Sequence, residues 1–237
     1  MHEATTRHAA FASLRRPIIA LLAVALLTVA FQAAALPAAQ EKADEGWVTL
    51  FGGDKADLDK NWNYDAKKDA WQVQDGALTL AKKGGGYVWT KEAFGDFVLE
   101  LEFKTAGNSG VFFRSDPKNP VNGGFEVQVI NSAGKKDPGK HDAGALYDVM
   151  PPKVNAVTDD WNKLKIQAQG PNLSCWMNGQ EQWTVDISKW TEVGKNPDGT
   201  PNKYGKALKD FPREGKIGLQ EHGAVVAYRN IRVKPLK

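Results

Sequence analysis

The sequence has 237 residues, of which 42% are hydrophobic and 25% are charged, and its formal net charge is +3 at pH 7. This charge balance disfavours a nucleic-acid-binding protein, which would carry a strong basic excess. Four histidines and one cysteine offer few zinc sites and exclude an intrachain disulfide, so an apolar core alone must hold the fold.

The first segment of the chain has the pattern of a secretory signal peptide. Residues 1–16 contain three arginines and one glutamate, an apolar run follows from Ile18 to Phe31, and small residues close the segment at Ala33 to Ala35. The apolar run is shorter than the ~20 residues that cross a bilayer. We expect residues 1–39 to be a cleaved signal peptide and residues 40–237 to form one exported, periplasmic or secreted domain without a membrane span.

The rest of the chain alternates hydrophobic and polar residues, which is the period of β-strands. In WQVQDGALTL and in LSCWMNGQEQWTV, two alternating runs flank Asp75-Gly76 and Asn178-Gly179, which are dipeptides that two-residue hairpin turns prefer. FVLELEFK, KLKIQA and GKIGLQ alternate in the same way, and no segment shows a sustained helical stripe. The pattern predicts an all-β antiparallel sandwich of the jelly-roll type.

Two long loops interrupt the strands, at 132–160 and 186–215, and both are rich in Gly, Pro, Lys and Asp. Loops of this length in a compact domain are usually functional or disordered. The first contains His141 and Tyr147, and we expect it to form the rim of a site. The second has the composition of a surface insertion, with a helical turn near Ala207.

Polar residues alternate with core residues in three of the predicted strands, VFFR, GFEVQVI and GKIGLQEHG. If these strands are neighbours, their polar rows line one sheet face and could grip a ligand. Strand glycines at 110, 124 and 218 would leave room for that ligand. The candidate site residues are Asn108, Arg114, Glu126, Gln128, Gln220 and His222.

Ordinary explanations of these residues remain open. Arg114 and Glu126 could form a cross-strand ion pair on a solvated face. His222 could be a turn residue with its ring in water, and the two glutamines could be surface residues. The single Cys175 alternates with apolar neighbours, which is typical of a small buried side chain.

Eight motifs, in chain order, resemble the 3-keto-disaccharide hydrolase domain family. They are GWVTLFGG, DAWQVQDGAL, FGDFVLELEFK, NSGVFFR, GFEVQVI, AGALYDV, WNKLKI and GKIGLQEHGAVVAYRNIRV. The resemblance covers residues 45–237 and implies a concanavalin A-like lectin or glucanase jelly roll with a carbohydrate site on its concave face. Glu221 stands where the family motif has an aspartate.

The resemblance also implies a substrate, a glycoside or disaccharide whose C3 hydroxyl is oxidised to a ketone. Cleavage would proceed by elimination at C2 and C1 followed by hydration, with Glu126 or His222 as base and acid and Arg114 with Gln128 as a clamp. Asn108, Gln220 and Tyr147 would bind sugar hydroxyls. No cofactor is required, although Glu126 and His222 could also ligate a divalent ion; two ligands are too few to assign a metal site.

Two alternatives are retained. A non-catalytic carbohydrate-binding module would use the same face without needing an acid or a base. A two-carboxylate glycosidase would use Glu100 and Glu102, which share one face of the strand LELEF, but the sequence lacks the third acid of the glucanase motif. Neither the exact sugar nor the oligomeric state follows from the sequence.

Overall fold

The computed structural model describes residues 45–237, so the predicted signal peptide lies outside the described residues. Within this range the regular structure is one short helix, α1 (Lys55–Asn61), thirteen strands and 3-10 turns at Ala66–Lys68, Ile187–Lys189 and Leu208–Asp210. The strands are β1 (Val48–Phe51), β2 (Trp62–Asn63), β3 (Trp71–Gln74), β4 (Ala77–Leu80), β5 (Val88–Thr90), β6 (Phe97–Thr105), β7 (Ser109–Ser115), β8 (Phe125–Val129), β9 (Asn162–Gln169), β10 (Asn172–Met177), β11 (Gln180–Asp186), β12 (Lys216–Leu219) and β13 (Val226–Pro235).

These strands form two antiparallel sheets. The larger sheet has eight strands, in the order β11-β10-β9-β6-β13-β4-β3, with β1 also paired to β13. The smaller sheet has five strands, in the order β2-β5-β12-β7-β8. One hydrophobic core contains side chains from both sheets, and the rings of Phe97 in β6 and Phe113 in β7 meet edge to face across it. The predicted all-β sandwich is therefore confirmed.

Local sequence explains the strands and their turns. Along β6 the residues alternate between buried and half-buried, because every second side chain enters the core. Asp75 and Gly76 have φ values of 49° and 73°, and Asn178 and Gly179 have 50° and 80°. Positive φ at both central residues is the requirement of the type I′ hairpin turn, so both predicted hairpins are confirmed.

The helix α1 was not predicted, because its seven residues are too few to show a helical stripe. It begins where the Asp54 side chain caps it by accepting the Asp57 N–H at 2.9 Å. Leu58 is its buried residue and anchors it to the core. Among residues 45–237 no helix is long and apolar enough to cross a membrane.

The two long loops are confirmed, and both contact β8, the edge strand of the smaller sheet. In the loop between β8 and β9, the Tyr147 N–H donates to the Glu126 carbonyl at 2.9 Å, so this segment pairs with the edge strand β8. The loop between β11 and β12 forms the expected turn beside Ala207. This loop is more than the predicted surface insertion, since Tyr204 and Phe211 are buried and Phe211 packs against Phe125 of β8.

Candidate functional site

The outer face of the smaller sheet carries two rows of side chains that run across its strands. In the first row Gly218 pairs with Trp89 and with Phe112, and Phe112 pairs with Glu126. In the second row, Gly110 pairs with Gln128, and the N–H of Gln220 donates to the Gly110 carbonyl at 2.9 Å. The structure therefore brings Glu126 and Gln128 of β8 together with Gln220, which lies 94 residues after Glu126 in the chain.

Glu126 is at the centre of this face and only 4% of its surface is exposed. Its Oε1 accepts a hydrogen bond from Nε2 of Gln220 at 3.3 Å, and its Oε2 lies 3.4 Å from Nζ of Lys203. We call Glu126, Lys203, Gln220, Gln128 and Asn108 the Glu126 cluster.

The strand glycines of this sheet have a different role from the predicted one. A Cβ on Gly110 would lie 2.4 Å from Oε1 of Glu126, and a Cβ on Gly218 would lie 2.4 Å from the Trp89 ring. These glycines make room for neighbouring side chains of the protein itself. Gly124 packs against the backbone of Arg114 and Ser115. The interpretation that the three glycines admit a ligand is therefore wrong.

Burial shifts the pKa values of Glu126 and Lys203 in opposite directions. Loss of solvent raises the pKa of Glu126, and the charges of Lys203 and His222 and the hydrogen bond from Gln220 only partly offset this rise. Loss of solvent also lowers the pKa of Lys203, against the influence of Glu126 and Asp148. The two shifts bring the pKa of the carboxylate and the pKa of the ammonium closer together, which favours proton transfer at this site.

Lys203 is a candidate functional residue that sequence reasoning missed. Its Nζ lies 4.2 Å from the ring centre of Tyr147 and 5.3 Å from that of Tyr204, so two aromatic faces hold the ammonium beside Glu126. In the sequence it is one of many lysines in a polar loop, and no local pattern distinguishes it. Only the folding of that loop against β8 reveals its position.

The amide side chains of the Glu126 cluster contain unpaired acceptors. The oxygens Asn108 Oδ1, Gln128 Oε1 and Gln220 Oε1 are buried and have no hydrogen-bond partner within residues 45–237. The amide nitrogens of the two glutamines are engaged: Gln128 donates to the His141 carbonyl at 3.2 Å, and Gln220 also lies 3.5 Å from the Tyr87 hydroxyl. A buried acceptor without a donor costs about 1–3 kcal/mol, which a ligand hydroxyl would relieve.

The loop between β8 and β9 brings Tyr147 beside Lys203 at one side of this face, and the predicted role of Tyr147 in a site stays a prediction. The rings of His141 and Tyr147 lie 4.8 Å apart, and Nε2 of His141 lies 3.0 Å from Oδ1 of Asp148. Burial alone would raise the pKa of Asp148, but hydrogen bonds from Lys140 and His141 bring that pKa below its usual value. Asp148 therefore remains an anion that supports this loop and Lys203.

His222 and Glu221 follow Gln220 at the end of β12, the central strand of the smaller sheet. His222 is exposed, and its charge acts on the pKa of Glu126. The two carboxylate oxygens of Glu221 accept the N–H groups of Gly84 and Gly86. Glu221 thus ties the segment that precedes Tyr87 to the segment that carries His222.

Arg114 does not join the Glu126 cluster. It is completely buried, and it donates to the Gly95 carbonyl at 2.8 Å, the Gly170 carbonyl at 2.8 Å and the Asp96 carboxylate at 2.7 Å. The cause is a bulge between β7 and β12, where Arg114 has a positive φ of 47° and the strand alternation is lost. The predicted role of Arg114 as a substrate clamp is corrected to that of a structural tie.

Glu100 and Glu102 lie on the outer face of the larger sheet, away from the Glu126 cluster. Nε of Arg232 lies 3.0 Å from Glu100, and Nε of Arg229 lies 2.8 Å from Glu102. Because cross-strand arginines hold both carboxylates, the two-carboxylate alternative loses support. Within residues 45–237 no group of three or more His, Cys, Asp or Glu side chains is arranged to hold a metal ion.

Comparisons with known proteins agree with the fold. The family model described as "3-keto-alpha-glucoside-1,2-lyase-like domain" matches residues 46–234. A curated 3-keto-disaccharide hydrolase of Bacteroides thetaiotaomicron is 26% identical over 229 residues, which cover 81% of this chain and 79% of that protein.

A solved structure from Parabacteroides distasonis, provisionally named a glycosyl hydrolase, is 31% identical with a TM-score of 0.71, covering 80% of this chain and 99% of that one. A second solved structure is a protein of unknown function with a galectin-like fold from Bacillus subtilis. It is 15% identical with a TM-score of 0.50, and the match covers 77% of this chain and 92% of that one. This similarity shows the fold alone.

Proposed function

The chain belongs to the 3-keto-alpha-glucoside-1,2-lyase-like domain family, and on that premise we propose that it cleaves glycosides or disaccharides whose C3 hydroxyl has been oxidised to a ketone. The curated relative named a 3-keto-disaccharide hydrolase supports this substrate class. The observation that carries the proposal is the buried Glu126 carboxylate, held between Lys203 and Gln220.

The proposed reaction is an elimination followed by a hydration. The ketone acidifies the hydrogen on C2, and the Glu126 carboxylate removes that hydrogen as a proton. The electron pair of the C2–H bond forms an enolate at C3, then expels the oxygen on C1 and leaves a C1=C2 double bond conjugated with the ketone. Water then adds its oxygen to C1 and a proton returns to C2, so the net result is hydrolysis.

Lys203 takes the role that the sequence had suggested for Arg114. Its ammonium would donate a hydrogen bond to the C3 oxygen as negative charge develops there, which is the moment when such a contact accelerates the reaction. C2 and C3 are bonded neighbours, so the base and the donor must also be neighbours. The separation of 3.4 Å between Glu126 Oε2 and Lys203 Nζ fits that demand.

The remaining residues bind the sugar and protonate the leaving group. The unpaired oxygens of Asn108, Gln128 and Gln220 would accept sugar hydroxyls, and Tyr147 would contact the ring from the loop between β8 and β9. His222 is exposed beyond the end of β12, where a departing sugar would leave, and we assign it as the acid for the C1 oxygen.

A non-catalytic sugar-binding module is the second candidate. The same unpaired amide oxygens and the aromatic stack of Tyr87 on Phe112, with ring centres 5.5 Å apart, would serve such a module equally well. Binding a sugar without cleaving it does not require a buried acid beside a buried amine, and burying both charges carries a desolvation penalty. The Glu126–Lys203 pair therefore favours the enzyme.

The deciding experiment uses the purified protein. It is incubated with a 3-keto-glucoside and, separately, with the unoxidised parent glucoside, and the released alcohol is quantified. We expect release from the oxidised compound alone, and accumulation of an absorbing enone would show that elimination precedes hydration. Glu126→Gln, which keeps the side-chain shape, should abolish release.

Two results would overturn the proposal. Binding of both glucosides without release from either would assign the protein as a sugar-binding module. An unchanged rate in a folded Glu126→Gln protein, with its thermal midpoint and far-UV spectrum as controls, would remove Glu126 from the mechanism.

A further inference from the structure

A groove of about 750 Å³ lies on the outer face of the larger sheet, on the other side of the sandwich from the Glu126 cluster. This volume is within the range of ~300–1,000 Å³ that small-molecule sites occupy. We call it the outer groove, and the residues of its lining that matter here are Glu100, Glu102, Lys163, Lys165, Trp176 and Asn230.

Two strand irregularities accompany the outer groove. The pairing of β13 with β6 shifts register between Arg229 and Arg232, where Asn230 has a positive φ of 52°. The pairing of β10 with β11 shifts between Cys175 and Trp176. Such bulges bend a strand and redirect its side chains, which explains why this face is not flat.

The side chains in and around the outer groove include more cations than carboxylates. Nη2 of Arg232 lies 2.8 Å from Glu100, and Nη2 of Arg229 lies 2.7 Å from Glu102, so arginines neutralise both acids. Lys165 and Lys163 stand opposite the same two acids, Glu100 and Glu102, across β9 and β6, but neither ammonium is within ion-pair distance of a carboxylate in the part of the chain that the structure describes. Two arginines and two lysines thus surround two carboxylates, so this face has an excess of positive charge.

The same lysines stand beside an aromatic side chain. Lys165 pairs with Trp176 across β9 and β10, and its Nζ lies 4.8 Å from the centre of the half-buried indole. Lys163 and Lys165 are two positions apart on one strand, so both side chains leave the same face roughly 7 Å apart. An indole next to two cations presents a flat apolar surface and an anion site together.

We propose that the outer groove binds an anionic sugar, with the sugar ring against Trp176 and its carboxylate or phosphate between Lys163 and Lys165. Asn230 lies in the lining and supplies an amide for the hydroxyls. This site is independent of the proposed cleavage reaction, since none of its residues belongs to the Glu126 cluster.

The test is calorimetric titration of the purified protein with a disaccharide that ends in glucuronic acid and with the same disaccharide ending in glucose. We expect the charged disaccharide to bind at least ~10-fold more tightly, because one charge-assisted hydrogen bond contributes about that factor. Titration with glucose 6-phosphate distinguishes a phosphate-bearing from a carboxylate-bearing ligand. Equal binding of the two disaccharides, or binding of inorganic phosphate alone, would overturn the proposal.

Matched variants locate the binding. Lys165→Met keeps the aliphatic stem against Trp176 and removes the charge, so it should weaken binding of the charged disaccharide by about 10-fold and leave cleavage of the 3-keto-glucoside unchanged. Lys104→Met is the control, because Lys104 also lies on the larger sheet but pairs with Asp160 at 2.9 Å. If Lys165→Met and Lys104→Met bind the charged disaccharide equally well, the outer groove is not its site. Trp176→Phe provides a second variant, and unchanged binding in it would contradict the stacking.

Discussion

At the scale of single residues, the chemistry depends on one buried pair of opposite charges. Burial raises the pKa of Glu126 and lowers the pKa of Lys203, so each group is held in its charged form mainly by the other. Replacing such a pair by apolar residues is often neutral or stabilising, which means that stability alone does not explain its presence. A base and an adjacent cation are what removal of a proton next to a ketone requires.

Substitution of Lys203 tests this division of roles. Lys203→Met should lower kcat/KM for the 3-keto-glucoside by roughly 10²- to 10³-fold, the usual effect of losing one donor to a developing oxyanion. Removing the cation should also raise the pKa of Glu126 further, because burial then acts without its main opposing charge. The base must be deprotonated to act, so the acidic limb of the pH profile of kcat/KM should move to higher pH.

Two matched variants serve as controls for that measurement. Lys203→Arg keeps the positive charge and should retain more activity than Lys203→Met, with a smaller displacement of the acidic limb. Lys206→Met removes an exposed lysine of the same loop and should change neither quantity. An acidic limb that stays in place in Lys203→Met would show that Lys203 does not control the charge of Glu126.

At the scale of elements, the end of β7 determines how three parts of the chain are joined. The bulge at Arg114 turns its guanidinium towards Gly95 and Asp96, which precede β6, and towards Gly170, which follows β9. The Gly170 N–H also donates to the Asp96 carboxylate at 3.0 Å. Arg114 therefore connects the smaller sheet to two loops of the larger sheet.

Arg114→Met should destabilise the fold and leave substrate binding intact. Two carbonyls and a carboxylate lose a buried cationic donor, so we expect the free energy of unfolding to fall by about 3 kcal/mol, measured by urea denaturation. KM of the folded protein should not change, because Arg114 does not touch the Glu126 cluster. Arg213→Met is the control, since Arg213 reaches the Gly170 carbonyl only at 3.4 Å and should cost less than ~1 kcal/mol. A large increase in KM with normal stability would restore Arg114 as a substrate clamp.

The same element shows how far the sequence can predict this structure. Period-two alternation and the two Gly-containing turns depend on local signals, so they predicted the strands, the hairpins and the common face of Glu126, Gln128 and Gln220. Alternation holds only while the backbone is extended, and one residue with positive φ at Arg114 ends it. An arginine gives no sign of that conformation in the sequence. Lys203 was missed because the path of its loop depends on long-range packing.

At the scale of the whole molecule, one core must support both outer faces without a covalent link. The chain has a single cysteine, and Cys175 is completely buried on the inner side of β10. Burial raises the pKa of its thiol, so the reactive thiolate is suppressed in the folded protein. The thiol can therefore react only after the strands around it open.

Thiol labelling thus measures whether the sandwich unfolds as one unit. We expect an aromatic disulfide reagent to leave the native protein unlabelled and to label one thiol per chain in concentrated urea. Between these limits the labelled fraction should follow the tryptophan fluorescence with the same urea midpoint, because Trp183 is buried and pairs with Cys175 across β10 and β11. Cys175→Ala, which cannot be labelled, provides the blank for the thiol signal. Since β11 is an edge strand of the larger sheet, complete labelling at urea concentrations that cause only part of the fluorescence change, the part due to Trp176 and Trp183, would mean that β10 and β11 open alone. The outer groove, which includes Trp176 of β10, would then be less stable than the Glu126 cluster on the smaller sheet.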